Sequence, residues 1–472
     1  MMKNQRGVSV LSLIDVDINS LKGVTQDSRK VGDGFLFAAL KGEMVDGRNY
    51  INDAVERGAS VILSGENVDI DDKAVRSIVV SNPRQYFSHI VSEFYGSAPA
   101  SVVAVTGTNG KSSVVHFVDQ ILRGLGNKSD FIGTLSGAMT TPDPVSLHEK
   151  LRDMAGDGVT NVALEASSHG LAQYRLDGVS VNVAAFTSFS QDHLDYHDDM
   201  DSYLGAKLRL FSEVMIDNGV AVLNADIPEY HKILSVCHDR NVRVISYGEK
   251  ADDIKLVSCE ISGHSQAIEI EVYGNTYHVK LPLVGKFQVM NALCALSCVL
   301  AQGFDVDKSV ETLEKLGAVP GRLQYVSNGN LHAFVDYAHT PDALKNVLSA
   351  LRSHTKGRLL CVFGCGGDRD KAKRAVMGDV VSRLADVAIV TDDNPRSENP
   401  DEIRKAILSS MNVEAKEIAD RRDAILFAVQ DMDEDDVLLV AGKGHEQGQI
   451  FNGVTHPFDD VCEVNNALRN VV

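Results

Sequence analysis

VVAVTGTNGKSS, residues 102–113, decides how this chain of 472 residues is read. Its first residues are apolar and β-prone, the pattern of a strand buried on both faces. They run into a turn, Gly107-Thr108-Asn109-Gly110, and a helix is expected from about Lys111. Glycines permit a tight turn and let backbone N–H groups approach phosphate oxygens, and the helix N-terminus adds positive potential. Lys111 would neutralise β- and γ-phosphates, and Ser112, with Ser113 beside it, offers a hydroxyl to Mg²⁺. A full Walker pattern would place glycine where Val105 stands, so the motif is a shortened form. The plain alternative is an ordinary strand-to-helix turn with a chance Lys-Ser pair. The coincidence of strand, glycines, lysine and hydroxyl favours phosphate.

The same strand-and-helix alternation extends on both sides. NVALEAS (161–167) and VNVAAFTSF (181–189) read as further strands, and helical crossovers between strands imply a mostly parallel, doubly wound sheet. The β-rich region 252–284 suggests a small antiparallel insertion or edge, followed by a helix over 288–302. Upstream, FLFAAL (35–40), ASVILS (59–64) and AVRSIVV (74–80), with a short helix over 51–58, form a small α/β unit. GSAPAS (96–101) reads as a linker. Near residue 320 the pattern restarts, with strands at 332–338, 357–364, 385–393 and 435–442. The expected domains are 1–98, 99–320 and 321–472.

Composition narrows the function classes. Apolar residues are 44% and charged residues 24%, as in ordinary soluble proteins. No apolar run reaches transmembrane length and no secretion signal stands out, so a cytoplasmic protein without stable membrane insertion is expected. A net charge of −19 argues against nucleic-acid or anionic-membrane partners, though not against a small anionic substrate held locally. Seven cysteines form no closely spaced ligand couplets and suit a reducing compartment. Cys294 and Cys298 read as helix core. Cys361 and Cys365 flank a glycine turn, where a metal and plain core packing are both open.

Other polar residues cluster at predicted strand ends. Glu165 closes one strand, and FTSFSQDHLDYH (186–197) closes the next. In a doubly wound sheet these ends meet at one crevice. Glu165 and His193 are therefore candidate Mg²⁺ ligands, against a bland reading in which His193 and Asp195 cap turns, while Asp192 and His197 read as structural. Lys207, taken alone, reads as a surface lysine on an amphipathic helix. Downstream come Arg322 after a Pro-Gly turn, Asp336 and His339 in DYAHTPD, and the loops GCGGDRD, TDDNPR and GKGHE. Arg369 and Arg396 suit bidentate carboxylate recognition, Asn394 can donate and accept, and Glu446 suits an ammonium. Surface ion pairing is the alternative for each arginine.

The combination of TGTNGKS, EASSHGL, DHLDYH, YLGAKLRLF, VPGRLQ, DYAHTPD, GCGGDRD, DDNPR and GKGHE resembles the Mur ligase family over essentially the whole chain. The resemblance implies an α/β protein of three domains: a UDP-substrate domain, a central P-loop ATPase domain with a mostly parallel sheet, and a C-terminal Rossmann-like α/β domain for the amino acid. It implies ATP and Mg²⁺ as cofactors. The implied partners are UDP-N-acetylmuramoyl-L-alanyl-D-glutamate and meso-2,6-diaminopimelate, joined through an acyl phosphate by a monomeric enzyme. Lys111, Glu165, His193 and Lys207 match catalytic positions. Ser112, Glu165, His193 and a carbamoylated Lys207 match the metal group.

Gly107, Thr108, Asn109, Gly110, Lys111, Ser112, Ser113, Asn291, Arg322 and Asp336 match the ATP contacts, with His339 beside them. The UDP-linked substrate falls to Gln26, Ser28, Glu43, Met44, Val45, Thr140, Thr141, Ser167, Gln173 and Arg175. The amino acid falls to Arg369, Asp393, Asn394, Pro395, Arg396, Gly442 and Glu446. Met139, Gln288 and Ala375 depart from the family's usual residues. DNPR resembles the diaminopimelate-selective form, because the distal carboxylate of that substrate gives Arg396 an anionic partner that lysine lacks. A lysine-adding ligase of the same family and a nucleotide-dependent regulatory protein are the competing readings. A folylpolyglutamate-type ligase would leave the first domain unexplained.

Overall fold

The computed structural model describes residues 16–42, 45–137, 139–193, 196–262, 265–412 and 415–471. Three α/β units follow one another along the chain. In the first, β1 (Gly23–Thr25), β2 (Phe35–Ala38), β3 (Ala59–Ser64) and β4 (Arg76–Val79) form a parallel sheet in that order. The helix Pro83–Tyr95 starts at an Asn82 cap whose side chain accepts from the Gln85 N–H, with proline in the first turn. It ties this unit to the next: Ser88 and Ser92 donate to the carbonyls of Tyr174 (2.5 Å) and Gly178 (2.7 Å).

The central sheet comprises β5 (Ser101–Thr106), β6 (Ser129–Ile132), β7 (Asn161–Glu165), β8 (Val181–Phe186), β9 (Met215–Asn224), β10 (Arg243–Gly248), β11 (Ile254–Ser262), β12 (Ser265–Val272) and β13 (Asn275–Leu281). Its spatial order is β13-β12-β11-β10-β9-β8-β5-β7-β6. Every pairing is parallel except β11–β12 and β12–β13, which make the antiparallel edge expected from 252–284. Period-2 geometry explains the apolar run of β5: Val103 and Val105 enter one core, Val102 and Ala104 the other. Phe117, on the helix Lys111–Gly124, is fully buried in the first of these cores, so truncating it to alanine would cost about 3–5 kcal/mol. β9 escaped the sequence reading because Asp217-Asn218-Gly219 interrupts its apolar pattern.

The third sheet has β14 (Gln324–Asn328), β15 (Leu331–Asp336), β16 (Leu359–Phe363), β17 (Val387–Val390), β18 (Ala415–Glu417) and β19 (Val437–Ala441), ordered β14-β15-β19-β16-β17-β18. Only β14 runs antiparallel to its neighbour. A hairpin of β20 (Gly448–Phe451) and β21 (Val454–Pro457) follows. The predicted strands at 385–393 and 435–442 stop early, at Val390 and Ala441, and the residues beyond them are loops.

All seven cysteines are free thiols. Cys361 and Cys365 belong to the core between the third sheet and its helices, and burial pushes the Cys365 thiol up to about 12, against a smaller pull from Lys373. Core packing accounts for the pair. Among the described residues, no helix is long and apolar enough to cross a membrane.

Candidate active site

The chain leaves β5 at Thr106 and turns through Gly107 (φ +140°) and Gly110 (φ +90°) into the helix Lys111–Gly124. A Cβ on Gly110 would lie 2.4 Å from Asn291 Oδ1, so only glycine lets the helix Lys286–Ala301 bring Asn291 against the turn. Lys111 folds back, its ammonium donating to the carbonyls of Gly107 (3.0 Å) and Thr108 (2.8 Å). Ser112 is buried, and its hydroxyl accepts from Arg322 at 3.2 Å. Arg322 stacks 4.4 Å from the Tyr337 ring centroid. Asn109 reaches the third unit, donating to Asp342 at 3.3 Å.

Lys207 overturns its surface reading. An Asp199–Ser202 capping box starts the helix Met200–Arg209, and the four-residue spacing puts Tyr203 and Lys207 on its inward face. Lys207 is 1% exposed, donates to the Gly107 carbonyl at 2.7 Å, and lies 4.4 Å from the Tyr203 ring centroid. Burial, and then the charge of Lys111, hold its pKa well below the usual lysine range. Both lysines therefore share one carbonyl.

Glu165, at the end of β7, is buried and faces this group. Its oxygens accept from the Thr134 N–H (2.8 Å) and hydroxyl (3.3 Å), and among the described residues it has no ion-pair partner. His193 follows β8 with φ +55°, its ring 3.5 Å from Asp192 and 4.9 Å from the His169 ring. Asp195 lies outside the described residues.

A cavity of about 1590 Å³ runs from Lys111, Lys207 and His193 to Arg369, Arg396 and Glu446, between the central and third units. Thr140, Thr141, Ser167 and Arg175 also line it. Arg175 donates to Thr141 O (2.6 Å) and to Gln173 Oε1 (2.7 Å), and Thr141 and Ser167 hydroxyls lie 2.9 Å apart. Arg175 and Met139 also line a smaller cavity of about 170 Å³, together with Gln26 and Gln173, which opens the route to the first unit. Neither cavity wall includes Ser28 or Val45. Glu43 and Met44 lie outside the described residues.

At the far end, Asp393, Asn394 and Arg396 follow β17, and Gly442 and Glu446 follow β19. Asn394 Nδ2 donates to Glu446 Oε2 at 2.8 Å. Arg396 adopts φ +54° and donates to Gly367 O at 2.8 Å, which seats its guanidinium against the 364–370 loop. Pro395 is not on the wall.

Asp336 is not on the cavity wall. Its carboxylate accepts from the N–H groups of Leu323 (2.6 Å) and Ala338 (2.7 Å), bracing the turn that carries Arg322. Burial raises its pKa to about 6, against a smaller pull from Arg322. His339 lines the cavity, and burial, then Lys373, lower it to about 4. Gly321, next to Arg322, lies so close to the 442–446 loop that a Cβ on it would meet His445 N at 2.1 Å. One on Gly444 would meet Gly321 O at 2.6 Å.

Sequence reasoning passed over Thr134, Lys373, Tyr337 and Lys443. Thr134 sits in no motif, and its role depends on β6 lying beside β7. Lys443 was legible only as a member of GKGHE, with nothing to say that it is fully buried.

Three family models match: "Mur ligase family, catalytic domain" over residues 20–95, "Mur ligase middle domain" over 105–299, and "Mur ligase, glutamate ligase domain" over 321–444. A UDP-N-acetylmuramoyl-L-alanyl-D-glutamate–2,6-diaminopimelate ligase of Caulobacter vibrioides is 47% identical, with 96% of each chain covered. Its counterpart in Agrobacterium fabrum is 45% identical over 98% of this chain and 96% of its own. A solved structure of an enzyme of that name superposes with a TM-score of 0.71 at 33% identity, covering 95% of both chains. Matched along nearly its full length by relatives and over most of it by the family models, the chain belongs to the Mur ligase family.

Proposed function

We propose that this protein joins meso-2,6-diaminopimelate to the D-glutamate γ-carboxylate of UDP-N-acetylmuramoyl-L-alanyl-D-glutamate, using ATP, in cell-wall precursor synthesis in the cytoplasm. The observation that carries the reading is the distribution of charge along one cavity: lysines at the glycine turn, and two arginines with a carboxylate at the other end. Relatives bearing that activity in their names, 47% and 45% identical over nearly the whole chain, support the substrate pair.

In this reading residues 107–113 act as a P-loop, and the third unit as a Rossmann-like carrier of the amino-acid site. The γ-carboxylate oxygen bonds to the γ-phosphorus of ATP while the bond to the β-phosphate oxygen breaks, releasing ADP. The amine nitrogen then bonds to the acyl carbon, phosphate departs and the amine sheds a proton. Lys111 and the helix N-terminus stabilise phosphoryl oxygens, and Arg322 orients Ser112. Thr140, Thr141, Ser167 and Arg175 hold the acceptor arm, with Gln26, Ser28 and the 43–45 loop toward the UDP end. Arg369 and Arg396 clamp the distal carboxylate of diaminopimelate, and Glu446, held by Asn394, receives an ammonium.

Mg²⁺ fits the site on its donor chemistry. Glu165 is a buried carboxylate with no ion-pair partner in contact among the described residues, Lys111 acting on it only from a distance, and a buried charge calls for a counter-charge. Ser112, Glu165 and His193 would hold the ion, which when bound supplies charge neutralisation for phosphoryl oxygens. Carbamoylation of Lys207 would give a further carboxylate-type ligand. Its burial supports this, since only the neutral amine attacks CO₂.

The test is phosphate release with Mg²⁺-ATP and the UDP-linked dipeptide, comparing diaminopimelate, L-lysine and no amine. Release and product with diaminopimelate alone are expected. A preference for lysine would overturn the substrate assignment, and no turnover by folded, ATP-binding protein would overturn the activity.

A further inference from the structure

One charged side chain at the amino-acid end has no task in this scheme. Lys443 is fully buried and absent from the cavity wall, so it touches nothing bound there. Its ammonium donates to Asn394 Oδ1 at 3.0 Å and Glu446 Oε2 at 3.2 Å, and lies 3.5 Å from Asp393 Oδ1. All three partners line the cavity.

An ammonium only donates, whereas an amide can present oxygen or nitrogen to a neighbour. Asn394 Oδ1 also accepts from the Ile450 N–H at 3.0 Å. Two donors on that side fix the oxygen there and turn Nδ2 toward Glu446 Oε2, 2.8 Å away. Lys443 and Asn394 both engage Oε2, and Glu446 Oε1 accepts no hydrogen bond among the described residues, so it is the oxygen left for a ligand in the cavity that Glu446 lines.

We propose that Lys443 is a positioning residue for amino-acid recognition: it sets the Asn394 amide and splits the Glu446 carboxylate so that one oxygen receives the incoming ammonium. The proposal rests on the reading that this end takes the amino acid.

The experiment compares Lys443→Met, Lys443→Gln, Glu446→Gln and the double variant Lys443→Met/Glu446→Gln in steady-state kinetics, varying each substrate in turn. Lys443→Met should raise the KM for diaminopimelate about 10- to 100-fold, the range for losing a charged hydrogen-bond partner. KM for ATP and for the UDP-linked dipeptide should stay within about twofold, because those ligands lie elsewhere in the cavity. Lys443→Gln keeps a donor without the charge and should fall between, and it carries the test if the methionine variant does not fold. The double variant should be little worse than Glu446→Gln alone. An unchanged KM for diaminopimelate in either Lys443 variant, or an equal loss for all three substrates, overturns the proposal. If Glu446→Gln raises that KM while the Lys443 variants do not, only the positioning role fails. If Glu446→Gln has no effect either, the assignment of this end to the amino acid fails with it.

Discussion

At the glycine-turn end of the cleft, residues 107–113 and the first turn of one helix supply the turn, Lys111 and Ser112 from one unbroken stretch of chain, around which the other groups gather. At the other end, loops 364–370, 391–396 and 442–446, which follow three different strands of the third sheet, must meet before Arg369, Asn394 and Glu446 make a site. The first construction is written in local backbone geometry and the second in tertiary register. Damage to the first should therefore stop the chemistry for any amino acid, whereas damage to the second should show as selectivity.

The sharpest way to break that contrast is Lys111→Ala. With its stabilisation of phosphoryl charge gone, kcat/KM should fall about 10³-fold or more with either amine. A loss confined to diaminopimelate would erase the distinction. Lys207→Ala should cost about 10²-fold and regain part of its activity with added acetate or formate, the carboxylate replacing a carbamate. Full activity without rescue would remove Lys207 from the chemistry. The wild-type enzyme stripped of CO₂ should lose activity more readily at lower pH, because protonation withdraws the nucleophilic amine.

Arg396→Ala should raise the KM for diaminopimelate about 10- to 100-fold and narrow discrimination against lysine, while ATP binding measured by calorimetry holds. Equal losses for both ligands would dissolve the division of labour. The smallest effect concerns His339, between the two ends. Burial lowers its pKa from 6.5 to about 4, so its contribution to stability is complete above pH 6.5 and is lost as pH falls through 4. Because the side chain is only half-buried, that contribution is set at about 1–2 kcal/mol. His339→Asn should flatten the fall of Tm over pH 6.5 to 4, and an unchanged slope would refute it.

How legible each part was follows from the same contrast. VVAVTGTNGKSS gave both strand and turn away, because a buried parallel strand and a glycine turn each leave a local signature. β15, β16 and β19 were equally readable as apolar runs. Lys207 was not: helical periodicity places it on a face but does not tell which face meets the glycine turn, and only the family resemblance pointed inward. Thr134 and Lys443 act through partners 31 and 49 residues away in sequence, Glu165 and Asn394, and no local pattern encodes such distances. Asp336 was legible as an important residue, but its carboxylate braces the Arg322 turn through backbone N–H groups.

The mutual fit of Gly321 and Gly444 bears on protein engineering. The backbone joining the central and third units rests directly on the loop that carries Glu446, with no room for a methyl group on either glycine. A chimaera that borrows only the 364–370, 391–396 and 442–446 loops of a relative, keeping this chain's junction, would inherit that contact whether or not the donor backbone suits it. Exchanging specificity between relatives should therefore succeed when the crossover lies before Pro320, so that junction and loops travel as one cassette.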